Sequence, residues 1–75
     1  GSRYQYAIFE VQVPEAWIGK SVGELNIRRK FGINILGIKR AGKTDVSVTP
    51  DTLLSGDITI LALGEYKALQ KCFRI

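Results

Sequence analysis

Residues able to do chemistry are few in this chain, and most of them are basic. Two clusters stand out, Arg28-Arg29-Lys30 and Lys39-Arg40 with Lys43 close by. An arginine can hold a phosphate through a two-pronged fork of N–H donors, so either cluster is a candidate anion site. The plainer reading is a solvated face, with cations near a helix C-terminus that suit the macrodipole. Asn34 stands between Ile33 and Ile35, where a polar group demands a partner. Catalytic chemistry lacks its parts. The 75 residues include no histidine and one cysteine, which removes His-based triads, Cys–His pairs and His/Cys zinc sites. There is no GxGxxG or Walker loop, and the carboxylates are scattered singly. Cys72 falls on the apolar stripe of a predicted helix and reads as a packed thiol. Asp57 follows Gly56 and reads as a turn former rather than a metal ligand. The chain is therefore expected not to be an enzyme, with no metal and no cofactor.

Nucleic acid is a third reading of the basic residues. A net charge of +4 is weak support for it. Phe9, Trp17, Phe31 and Phe73 read as core or interface residues, so no stacking platform is left over. The expectation is no nucleic-acid partner.

The elements that must position these residues follow from periodicity. Residues 6–13 alternate, with Ala7, Phe9, Val11 and Val13 on one face and Glu10 and Gln12 on the other; that period of two predicts a half-buried strand. Pro14 ends it, having no N–H for the ladder. Residues 15–20 form a connection, and Ser21-Val22-Gly23-Glu24 fits a capping box. The helix it opens carries Val22, Leu25 and Arg29 on one side and stops at Gly32. Residues 33–40 read as a strand apolar on both faces, with Ile33, Ile35 and Gly37 opposite Asn34, Leu36 and Ile38. Ala41-Gly42-Lys43 reads as a hairpin turn into a strand over residues 45–49, with Val46 and Val48 facing inward. Residues 50–57 form a loop, 58–63 a buried strand, and 65–74 a helix with Tyr66, Leu69, Cys72 and Phe73 at helical spacing. The order is β-α-β-β-β-α: a single small α+β domain, its sheet mostly antiparallel, with two helices.

Composition bounds the assembly. With 45% apolar and 24% charged residues the chain is globular, yet domains this short often need a disulfide, a metal or a partner chain. One cysteine and no histidine leave oligomerisation. The most apolar stretch, residues 58–63, is too short to cross a bilayer. No methionine is present, and Gly1-Ser2 resembles a protease scar. The expectation is a piece of something larger, with residues 3–75 as the domain proper. An unpaired cysteine favours a reducing cytoplasm.

Several stretches together carry a resemblance. They are Gly19-Lys20-Ser21, Val22-Gly23-Glu24-Leu25-Asn26-Ile27-Arg28, Gly32 through Lys39-Arg40, Pro50 with Leu53 or Leu54, then Gly56-Asp57 and the following strand. In this order they resemble the RCK-C, or TrkA-C, family from about Tyr6 to Phe73. The resemblance implies a cytoplasmic regulatory domain of bacterial potassium channels and transporters, lying at the inner face of the membrane. It implies an RCK-N domain and a potassium-transporting membrane subunit as partners, and a two-fold homodimer. Some members bind cyclic di-AMP in the cleft between subunits and thereby control, by inhibition, potassium transport. The family pattern then assigns Arg28 to a phosphate and Asn34 to phosphate, ribose or adenine edge, with Ile27, Ile35, Val22 and Pro50 as apolar lining. Two alternatives stay open: a dimerisation module with no ligand, and an RCK-C domain of a cation/proton antiporter.

Overall fold

A computed structural model describes residues 5–75; Gly1-Ser2, read as a scar, lies outside them. The first strand, β1 (Tyr6–Gln12), leads through a 3-10 turn (Glu15–Trp17) to two short helices, α1 (Val22–Leu25) and α2 (Ile27–Phe31). Next come β2 (Asn34–Arg40), β3 (Lys43–Asp45), β4 (Thr59–Glu65) and α3 (Tyr66–Phe73). The strands form one antiparallel sheet in the order β1-β4-β2-β3. The α+β class and the element order are as the sequence suggests.

The core lies on one face of the sheet because β1 and β4 alternate in step. Phe9 pairs with Ala62 and Val11 with Ile60, so their side chains share a face. Ile60, Ala62 and Leu69 of α3 are fully buried, and each large aliphatic among them contributes about 1.5–3 kcal/mol. Trp17 fills one end of this layer, its ring centroid 5.8 Å from that of Phe31 and 5.5 Å from that of Phe73.

Most element ends differ from the sequence reading by a residue or two, and three larger differences have a local reason. The first helix is broken at Asn26, whose φ of 52° and ψ of 45° are left-handed; asparagine tolerates that region better than most residues. The third strand starts at Lys43 rather than 45, because the hairpin turn has only two residues, Ala41 and Gly42, both with positive φ. It stops at Asp45, whose carboxylate accepts from the Ser47 N–H at 2.8 Å, an Asx turn that competes with the ladder. Val46 is consequently 73% exposed instead of facing inward, while Val48 does pack on the core. The strand over β2 does not alternate throughout. A bulge between Ile35 and Gly37 resets its phase, so Ile38 joins Ile33 in the core instead of lying opposite it.

Candidate ligand-binding site

The capping box fixes the start of α1. The Glu24 N–H donates to Ser21 Oγ at 3.1 Å, and the Ser21 N–H donates to Glu24 Oε1 at 2.8 Å. The next two N–H groups tie the helix to a distant loop: Val22 donates to the Thr52 carbonyl at 3.0 Å and Gly23 to the Pro50 carbonyl at 2.8 Å. A Cβ on Gly23 would stand 3.0 Å from both Cβ and O of Pro50, so any side chain here would press the loop outward. The loop is held by its own bonds. The Thr52 N–H donates to the Thr49 carbonyl, and the Thr49 N–H donates to Thr52 Oγ1. After Asn26 turns the chain, α2 buries Ile27 and leaves Arg28, Arg29 and Lys30 exposed. Gly32, also left-handed, ends α2 and starts the chain toward β2.

These pieces enclose an open groove of about 280 Å³ between α1–α2, the start of β2 and the loop at Pro50. Val22, Ile27, Arg28, Asn34, Ile35 and Pro50, the six candidates of the family pattern, all line it. Gly23, Asn26, Ile33, Val48 and Thr49 complete the wall; the sequence reading missed them as site residues. Asn26 went unnoticed because it lies inside what reads as one helix, and Val48 and Thr49 because they read as strand. The groove borders the half of β2 that β3 leaves unpaired, since β3 reaches only Ile38 to Arg40.

Among the described residues no carboxylate pairs with Arg28, and the Asn34 side chain makes no hydrogen bond. The other basic cluster is engaged. Lys39 Nζ lies 3.2 Å from Glu10 Oε1, and Arg40 Nε lies 3.4 Å from Asp57 Oδ2. Arg40 Nη2 also donates to Ser55 Oγ at 3.3 Å. The Ser55 hydroxyl bonded to Asp57, with its own backbone N–H and Arg40 adding to it, holds that carboxyl below its ordinary range. Among the described residues, the α2 end of the domain is thus a cationic groove without a carboxylate partner, with donors available and an apolar floor.

A second groove, about 760 Å³, lies between residues 12–17 and the end of α3. It is larger, but its charged lining is one glutamate and one arginine, Glu15 and Arg74. Burial pushes the Cys72 thiol there upward, away from the thiolate that reactivity needs. Charge and donors favour the smaller groove. Among the described residues no cluster of His, Cys, Asp or Glu could hold a metal ion, and no helix is long and apolar enough to cross a membrane.

This geometry has close relatives. The uncharacterized transporter YfbS of Escherichia coli (strain K12) is 42% identical over 59 residues, covering 76% of this chain and 10% of that protein. The Ktr system potassium uptake protein A of Bacillus subtilis (strain 168) is 28% identical over 67 residues, 89% of this chain and 30% of that protein. The chain therefore spans a tenth and under a third of these relatives. Among solved structures, the RCK C domain of the potassium transport protein KtrA in complex with cyclic di-AMP superposes with a TM-score of 0.83 at 28% identity. The match covers 93% of this chain and 82% of that one. The RCK_C domain dimer of S. agalactiae BusR with cyclic di-AMP gives 0.72 at 26% identity, over 92% and 95% of the two chains. BusR has also been solved with its busA-promotor DNA, in a chain of which this domain spans 37%. The family model described as the TrkA-C domain matches residues 6–75, from the first strand through the last helix, and the chain belongs to the TrkA-C family.

Proposed function

We propose that this domain senses cyclic di-AMP for a potassium-transport system, binding it between two copies of the chain and inhibiting transport when occupied. The observation that carries the reading is the groove in which Arg28 and Asn34, whose side chains have no ion pair or hydrogen bond among the described residues, stand beside Ile27, Ile35, Val22 and Pro50. At about 280 Å³ it lies at the small end for a ligand of drug size. Half a dinucleotide suits it better than a whole one. Cyclic di-AMP has a two-fold axis, two phosphates and two adenines, so a symmetric pair of grooves offers each contact twice. Arg28 would fork onto a phosphate, each charge-assisted bond being worth roughly 1.5–3 kcal/mol. The apolar residues would cover the purines, at about 25 cal/mol per Å² removed from water. The complexes of KtrA and BusR with the same ligand support the reading.

Regulation follows by linkage. A ligand that bridges two copies shifts the assembly only by its differential affinity for two cleft geometries. Attached RCK-N domains would be re-aimed by that shift, and through them the membrane subunit at the cytoplasmic face. No nucleic-acid contact is assigned to this domain, because Lys39 and Arg40 are already paired with Glu10 and Asp57. The identity to YfbS favours one second reading, in which the domain sits within a transporter polypeptide rather than a separate Ktr-type subunit.

Titration calorimetry tests the proposal. Cyclic di-AMP is expected to bind at one ligand per two chains, with AMP and cyclic di-GMP giving far weaker heat. A stable dimer that gives no heat with cyclic di-AMP would instead identify a dimerisation module.

A further inference from the structure

Asn26 stands at the break between α1 and α2 with both of its main-chain groups engaged. Its N–H donates to the Gly23 carbonyl at 3.1 Å, and its carbonyl accepts from the Lys30 N–H at 2.9 Å. The side chain has no such duty. An asparagine just before a helix usually caps it by accepting a backbone N–H, yet Asn26 precedes α2 without any side-chain cap bond. The left-handed turn does not call for an amide either. Gly32 closes α2 in the same conformation, with φ 69° and ψ 26°, and glycine adopts it with less strain than asparagine. Among the described residues the Asn26 carboxamide makes no hydrogen bond, and Asn26 is part of the groove wall.

We infer that Asn26 selects adenine over other purines in this groove, its carboxamide pairing with N6 and N7 of the base, a role that rests on the sensing reading above and deepens it. The chemistry of the wall narrows the choice. Arg28 only donates and suits a phosphate. Thr49 Oγ1 already accepts from the Asp51 N–H at 3.2 Å. A carboxamide offers an acceptor and a donor side by side. Its oxygen accepts from the adenine N6 amino group while its nitrogen donates to N7. Guanine and hypoxanthine present two acceptors on that edge, O6 and N7, so half of the amide meets a like group whichever way it is turned. Position favours Asn26 over the other carboxamide. It follows Val22 by four residues, on the side of α1 that meets Pro50, whereas Asn34 comes from β2 on the opposite wall. A purine lying against Val22 and Pro50 brings its edge to Asn26. The two main-chain bonds hold the residue in place before a ligand arrives, which lowers the cost of ordering it.

Calorimetry with three ligands tests this on wild type and on Asn26→Gly, a variant that keeps the left-handed turn and removes the carboxamide. The ligands are cyclic di-AMP, cyclic di-IMP, in which O6 replaces the N6 amino group, and the 7-deaza analogue of cyclic di-AMP, in which a C–H replaces N7. Wild type is expected to bind cyclic di-AMP on the order of 100-fold more tightly than either analogue, one base being read by each copy. Asn26→Gly is expected to bind all three about equally, and cyclic di-AMP as weakly as wild type binds the analogues. A merely structural role for Asn26 would weaken the three ligands in parallel and leave their ratios unchanged; that result overturns the assignment. So does a wild type that binds the 7-deaza analogue as tightly as cyclic di-AMP, a measurement that does not depend on the variant folding. Wild type binding all three ligands alike leaves the sensing reading standing and removes the role of Asn26 alone, whereas wild type binding none of them removes both.

Discussion

The two basic regions of this domain have similar composition and opposite states. At the β2–β3 hairpin, Lys39 and Arg40 are matched by Glu10, Asp57 and Ser55, and the cluster serves to fasten strands and a turn. At α2, Arg28 has apolar neighbours and no carboxylate among the described residues. A cation kept unpaired beside a concave apolar wall retains its full capacity for an anion, whereas one already paired must first give up its partner. Counting arginines in the sequence cannot tell these cases apart; the neighbours decide.

The contrast can be broken in four ways. Arg28→Ala should weaken cyclic di-AMP binding on the order of 100-fold, one guanidinium being lost from each copy, with an unchanged melting temperature. Unaltered affinity in calorimetry would remove Arg28 from the site. Gly23→Val acts on the wall rather than the charge. Its side chain would press on Pro50, where even a Cβ has only 3.0 Å, so roughly 2 kcal/mol, or about 10 °C in Tm, should be lost, as thermal unfolding would show. Arg40→Ala should leave ligand affinity alone and lower Tm by about a degree, since the pair it breaks is exposed. A large affinity change in this variant would erase the distinction between the two regions. The smallest effect concerns Asp57. Its folded pKa lies below the ordinary 3.8, so its stabilising effect is present above that pH and fades as pH falls through the folded value. The Tm difference between wild type and Asp57→Asn should accordingly be present at pH 6 and shrink toward zero in strong acid.

Much of this architecture is legible in the residues themselves. The alternation of β1, the apolar run of β4 and the capping box at Ser21 are each specified locally, and the structure has all three. What escapes a periodicity argument is where the period changes. Ile38 reads as facing away from Ile33 because strict alternation allows no extra residue, yet the bulge at Leu36 puts both in the core. Asn26 reads as helix interior, yet its backbone is left-handed, and the ties of the preceding helix to Pro50 and Thr52, far along the chain, are invisible to periodicity. Val46 reads as buried because β-branched residues suit strands; the Asx turn at Asp45 is a competing local preference that prevails. The groove illustrates both sides. Six of its lining residues are suggested by family pattern, whereas Val48 and Thr49 read as strand and line it beyond the early end of the third strand.

The clasp between α1 and the Pro50 loop has a further consequence for how this domain can be watched. Two main-chain amides, those of Val22 and Gly23, tie α1 to the carbonyls of Thr52 and Pro50 at the groove wall. Each can swap its proton for deuterium only when the wall swings outward, so their isotope uptake measures that opening directly. An occupant that bridges wall and strand would slow both amides together, giving a readout of occupancy from inside the fold.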